Sequence, residues 1–135
     1  MLWGIKVRIF KNKSFSKFAH KEKISDKKLV QAIKEVEAGS IDADLGSGVI
    51  KQRLARLNEG KSGGYRSIIL FRRGDRAFFI YGFPKKDRDN ISDEEAAYFK
   101  KLAHMTLNLS DESIDVLVRE GLYEEVNCHD SNQNL

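Results

Sequence analysis

Apolar and polar positions change rhythm several times along the chain, and each rhythm predicts an element. Val7 to Phe10 is rich in strand formers and reads as a short strand. In the lysine-rich stretch that follows, Phe15 and Phe18 stand three apart, which predicts a short helical turn over 15–22. Ser25 is a good N-cap, with Ile24 before it as a staple and Asp26 in the first turn. Leu29, Ile33 and Val36 recur at helical spacing and Gly39 supplies the stop, so Lys27, Lys28 and Lys34 fall on the wet side of an amphipathic helix.

After Gly39 the period shortens. Asp42 to Gly48 reads as a connection or edge strand, with Gly46 and Gly48 as breakers. Val49 to Leu57 alternates: Val49, Lys51, Arg53 and Ala55 share one face, and Ile50, Gln52, Leu54 and Arg56 the other. Gly60, Gly63 and Gly64 flank a loop that carries Lys61. Tyr65 to Phe71 and Ala77 to Phe83 are aromatic and β-branched runs joined by Arg72-Arg73-Gly74-Asp75, a hairpin signal, and the single proline, Pro84, ends the second run. The centre is therefore an antiparallel hairpin or meander. Ser92-Asp93-Glu94-Glu95 is a capping box for a helix through Leu107, in which His104 is the histidine expected to be partly buried. Ser110 caps a further helix with Ile114, Leu117 and Val118 as its apolar stripe, ended by Gly121. No repeat or linker divides the chain, so residues 1–127 read as one domain and 128–135 as a disordered polar tail.

Composition narrows the class. The chain has 135 residues and is 41% apolar, enough for one core. No apolar run approaches the ~20 residues of a membrane helix, and Met1 to Phe10 lacks the apolar region of a secretory signal. A single cysteine, Cys128, rules out an intramolecular disulfide and a cysteine-based zinc site. A cytoplasmic protein with no membrane contact is the expectation. The net charge of +4 hides a strong asymmetry: residues 1–34 carry +8, 35–50 carry −4, 51–88 carry +8 and 89–135 carry −8. Two basic segments on a small domain suit a polyanion such as nucleic acid. The competing reading is a solvated surface whose basic and acidic parts balance within the fold.

Chemistry is sparse except in the second basic segment. His20, His104 and His129 lie far apart without ligand-spaced helpers, so no metal or other cofactor is expected. Gly60-Lys61-Ser62 resembles the end of a phosphate-binding P-loop. The glycine needed five positions earlier is Ala55, however, and strand rather than helix follows, so nucleoside triphosphate binding is rejected. Lys51, Arg53, Arg56, Lys61, Arg66, Arg72, Arg73, Arg76, Lys85, Lys86 and Arg88 are interleaved with Tyr65, Tyr81 and Phe83. Guanidinium groups hold phosphates, and aromatic faces stack unpaired bases. Tyr81 and Phe83 share a face, turned either in or out, while Phe71, Phe78 and Phe79 read as core.

Residues 63–103, GGYRSIILFRRGDRAFFIYGFPKKDRDNISDEEAAYFKKLA, resemble the RelE-type toxins of bacterial toxin–antitoxin pairs, in the HigB-like subgroup. The GGYR start, the RRGDRAFFIYGF hairpin, the lysine after it and the RDNIS turn into a helix carry the resemblance, which covers about a third of the chain. One departure is Pro84, where the pattern leads to a small alanine-like residue. The resemblance implies an α+β fold, a RelE/ParE-like compact domain whose twisted, mainly antiparallel sheet has N-terminal helices and two C-terminal helices. It implies a toxin that inhibits translation as a ribosome-dependent mRNA endonuclease and is neutralised by a cognate antitoxin, in this subgroup usually a helix-turn-helix protein. Carried over, the catalytic set is Arg66, Lys85, Lys61 and Tyr81. The basic residues Lys51, Arg53, Arg56, Arg72, Arg73, Arg76, Lys86 and Arg88 become RNA- and ribosome-binding. Metal-independent attack by the RNA's own 2′-hydroxyl needs a base, an acid and charge stabilisation of the phosphorane. Lys85 or Lys61 would serve as base, with Arg66 and Arg73 on the phosphorane. A ParE-like gyrase-targeting toxin and a non-catalytic nucleic-acid-binding module are the alternatives.

Overall fold

In the computed structural model, which describes residues 6–55 and 64–127, the chain starts in β1 (Arg8–Asn12) and turns directly into α1 (Lys13–Glu22) and α2 (Asp26–Glu37). A meander follows: β2 (Ala43–Gly46), β3 (Val49–Leu54), β4 (Tyr65–Arg72) and β5 (Arg76–Pro84). The chain closes with α3 (Asp93–Thr106), α4 (Asp111–Arg119) and β6 (Tyr123–Val126). The strands form one sheet in the order β2-β3-β4-β5-β1-β6, antiparallel except where β1 lies parallel to β5. This is the expected α+β architecture, with two helices before the meander and two after it.

Each helix start has a polar side chain that satisfies an orphan N–H. The Ser25 and Ser110 hydroxyls accept from Lys28 and Ser113, and Ser92 and Glu95 form the reciprocal capping box. α1 is capped by Asn12, whose side-chain oxygen accepts from the Phe15 N–H at 2.8 Å. Its amide nitrogen donates across to the Ile80 carbonyl at 3.1 Å, so one residue ends β1, starts α1 and holds β5.

The helices cover both faces of the sheet. Phe15, Ala19, Leu29, Ile33 and Val36 pack on one face with Ile9, Ile50, Tyr65, Ile69 and Phe79. Phe99, Ala103, Leu107 and Ile114 pack on the other with Phe10, Val49, Ile68, Leu70 and Phe78. Double coverage explains why β4 and β5 are apolar runs rather than alternating strands. Phe10 stacks on Phe78 with centroids 4.8 Å apart, and Phe15 meets Phe79 at 5.0 Å, one pair in each layer.

One irregularity sets the geometry of the β4–β5 pair. Ile68 pairs with Tyr81 but Ile69 pairs with Phe79, leaving Ile80 as an extra residue in β5. Such a bulge shifts the alternation by one. Tyr81 and Phe83 are thereby placed on the face of α3, and Gly82 on the face of α1. A Cβ on Gly82 would lie 2.5 Å from two ring carbons of Phe18 and 3.1 Å from Phe15.

The structure adds one strand and corrects two expectations. β6 had no advance signal, its four residues being too short for a readable pattern. His104 is exposed, since its position on α3 looks away from the sheet. Tyr65 does not join the basic face: its ring is buried under α1 and its hydroxyl donates to Glu22 at 3.0 Å. The tail at 128–135, with Cys128 and His129, lies outside the described residues, as do Arg56 and the loop that carries Lys61.

The contact at Gly82 generates a test. Gly82→Ala is expected to destabilise the fold by ~1–3 kcal/mol, the usual cost of overpacking. Trimming the opposing ring with Phe18→Ala should recover part of that loss in a double-mutant cycle. Urea denaturation of the four proteins measures it, and additive losses would show that the Phe18 ring is not the obstacle.

Candidate nucleic-acid interface

Cross-strand register gathers Lys51, Arg53, Arg66, Tyr81 and Lys85 at one end of the sheet. Arg53 pairs with Arg66 and Arg66 with Phe83, forming a row across β3, β4 and β5. The neighbouring row on the same face is Lys51, Ile68 and Tyr81. The Lys85 N–H donates to the Gly64 carbonyl at 3.0 Å, which carries the pairing one step beyond Pro84 and brings Lys85 to the end of the sheet where Arg66 stands. Pro84 is thus the last residue of β5 and leaves the following lysine at the rim.

The side chains differ in exposure. Arg66 is 7% exposed, with Nη1 3.4 Å from the Tyr65 carbonyl. Arg53 and Lys86 are exposed and Lys85 is half-buried. The ammonium groups of Lys85 and Lys86 have no hydrogen-bond partner or ion pair among the described residues. Lys51 donates to the Asn90 side chain at 3.0 Å and so ties β3 to the segment between β5 and α3.

That segment is held by Arg88. Its Nη2 donates to Glu95 Oε1 at 2.6 Å and its Nη1 to Glu95 Oε2 at 3.2 Å, while Nη1 also reaches the Tyr81 hydroxyl at 3.1 Å. Nε donates to the Asn90 carbonyl at 2.9 Å. The guanidinium lies over the Phe83 ring, 5.3 Å from its centroid, and 6.0 Å from that of Tyr81. Glu95 serves the capping box and Arg88 together. The hydrogen bonds from Arg88, then those from the Ser92 backbone, hold its carboxyl at a pKa of about 2. Glu95 and Asn90 are the site residues that sequence reasoning missed. The capping box marked Glu95, but only the fold shows that its second partner lies seven residues upstream.

The remaining basic residues are elsewhere. Arg72 is six residues from Arg66 along β4, roughly 20 Å at strand rise. It pairs with Asp75 at 2.6 Å. Arg73 donates to the Glu37 carbonyl at 2.6 Å. Arg76 is buried, donates to the Leu109 carbonyl, and pairs with Asp111 at 3.1 Å. These three fix the hairpin turn and the connection between α3 and α4, so Arg73 and Arg66 do not converge on one phosphate. Arg56 and Lys61 lie outside the described residues.

The competing charge reading holds for part of the chain. Arg8 pairs with Asp115 at 2.7 Å and Glu125 at 2.9 Å, and hydrogen bonding to Glu125 is the main cause of its raised pKa. Lys11 pairs with Asp26 at 2.9 Å. The acidic C-terminal elements therefore neutralise cations of β1 and Arg76, while the rim at Lys85 and Lys86 keeps its charge open. No group of three or more His, Cys, Asp or Glu residues suited to a metal occurs among the described residues. No helix there is long and apolar enough to cross a membrane.

Set against known families, residues 7–126 match the family described as the RelE toxin of the RelE / RelB toxin-antitoxin system. No curated protein matches the chain.

The Arg88–Glu95 pair carries a pH signature. A carboxyl held at about 2 against an ordinary 4.5 contributes stability that is complete above the ordinary value and lost as pH falls toward the lower one. Glu95→Gln should therefore be less stable than the parent at pH 6, with the gap closing between about pH 4.5 and 2. Urea midpoints across that range measure it, and a gap independent of pH would show that the carboxylate's charge is not what stabilises the fold.

Proposed function

The chain belongs to the RelE toxin family, and from that premise we propose that it inhibits translation as a ribosome-dependent mRNA endonuclease. The observation that supports this reading is the row Arg53–Arg66–Phe83, with Lys85 and Lys86 at its end. It gathers cations in one place over the buried Phe83 ring. Gathered cations are what the backbone of a single-stranded polyanion needs.

The chemistry follows from what these groups can do. Arg66 is set firmly in the sheet and offers fixed positive charge to a phosphorane, whose charge develops only in the transition state. In this reading Lys85, at the rim, moves a proton to or from the ribose 2′-hydroxyl or the leaving oxygen. Lys61 is the other lysine for that role. Tyr81 supports the site by accepting from Arg88, with its ring 6.0 Å from Phe99 on the inner side. The reaction needs no metal, since the attacking oxygen belongs to the RNA. Side chains with such limited acid–base power suit an enzyme whose substrate is aligned by the ribosome. The protein acts in the cytoplasm and is held silent by an antitoxin. In the HigB-like subgroup this is a helix-turn-helix protein, here with acidic residues opposite the open rim.

Induction of the protein alone should arrest a bacterial host and leave mRNAs cut within translated regions, as mapped from RNA 5′ ends. Arrest with intact mRNA and broken DNA would instead assign it to gyrase poisoning. Arg66→Ala should lose roughly 10²–10³ in cleavage rate, and Lys85→Ala about 10²–10⁴. Ribosome co-sedimentation should fall much less. Lys27→Ala, on the exposed side of α2, should change neither. Folded and fully active Arg66→Ala and Lys85→Ala proteins would place the active site elsewhere. Affinity for the antitoxin should fall as salt rises, and titration calorimetry at two ionic strengths would show a constant affinity if the rim is not its seat.

A further inference from the structure

Arg88 belongs to the basic segment, yet its geometry is not that of a phosphate ligand. A guanidinium has five N–H donors, all in its plane. Here Nε is used by Asn90, Nη1 by Tyr81 and Glu95, and Nη2 by Glu95. A phosphate could gain a bidentate grip only by breaking the pair with Glu95. Its Cζ lies over the Phe83 ring, 5.3 Å from the centroid, whereas Tyr81 meets Nη1 through its hydroxyl, at the edge. A third of the side chain, 33%, remains exposed, while Phe83 beneath it is buried and Tyr81 half-buried.

We infer that Arg88 is the base-stacking plate of this interface, offering its outer face to an unpaired RNA base beside the phosphate held by Arg66 and Lys85. This rests on the reading of the protein as acting on RNA. Unpaired bases stack on guanidinium planes as they do on aromatic rings. The Phe83 ring behind the plane, and the Tyr81 hydroxyl and Glu95 carboxylate at its edge, fix its tilt before any base arrives, so little side-chain freedom is lost on binding. With four of its five N–H donors committed, the plate keeps a single Nη2 N–H with which to read base identity. Stacking is therefore tolerant of sequence and strongest for the larger purines. Glu95 and Asn90 are positioning residues that act through Arg88.

The test uses the purified full chain and two fluorescently labelled six-nucleotide RNAs, one of mixed sequence and one with the same backbone but no bases. The parent should bind the base-bearing RNA roughly ten- to a hundredfold more tightly, the scale of one base stacked on one side chain. Arg88→Ala should erase that difference and leave affinity for the baseless RNA nearly unchanged. Arg88→Lys, which keeps the charge, should not restore it, and Glu95→Gln should reduce it. Equal loss for both RNAs in Arg88→Ala, or recovery in Arg88→Lys, would make Arg88 a phosphate contact and overturn the inference. So would a parent that binds neither RNA or does not distinguish them. If Arg88→Ala fails to fold by thermal melting, Arg88→Lys decides: retained discrimination overturns the plate. Cleavage of ribosome-bound mRNA is scored separately. Base discrimination without cleavage upholds the plate while removing the endonuclease reading, and cleavage without discrimination does the reverse.

Discussion

The extra residue in β5 is the constraint on which the basic face depends. With regular pairing, Tyr81 and Phe83 would fall on the α1 side of the sheet, among Phe15, Phe18 and Tyr65. Ile80 shifts them to the side of Arg66, where they support Arg88. The same shift turns position 82 toward Phe18, and only glycine fits there. Asn12 meets the bulged residue's carbonyl and caps α1 at once. Helix start, strand register and composition of the site are thus one coupled feature, which a change at any of the three positions would disturb.

Charge is arranged on a similar principle of division. Arg8, Lys11 and Arg76 meet the carboxylates of α2, α4 and β6 and act as cross-links between elements. Exposed pairs of this kind contribute little individually, but Arg8 holds partners on both α4 and β6. The open end of the sheet is treated differently. There Arg88 pairs with Glu95, and that pair orients a side chain. The ammonium groups of Lys85 and Lys86 beyond Pro84 have no ion pair among the described residues.

The meander, the caps and three of the four helices were legible from local pattern, because caps and glycine turns act over a few residues. The first helix was read as a single turn, since its start signal is the Asn12 side chain and its buried residues are few. β1 beside β5 and β6 beside β1 depend on pairing across most of the chain, which no local pattern encodes. At the site, the residue types from Lys51 to Arg88 were legible but their separation into two ends was not. Strand length alone puts Arg72, Arg73 and Arg76 far from Arg66. Whether Tyr81 and Phe83 face in or out turned on a bulge with no residue signature of its own, and Glu95 looked like a cap and no more.

The position of β1 also bears on how the fold is assembled. It lies between β5 and β6, pairing Arg8 with Arg76 and Ile9 with Val126. The β3-β4-β5 meander closes through connections of ten residues or fewer, whereas seating β1 requires loop closures of very different length. Contacts of such sequence separation form slowly. On a chain emerging from N- to C-terminus, the strand made first waits longest for its neighbours. The row of Arg53, Arg66 and Phe83 can pair well before the edge that α4 and β6 seal.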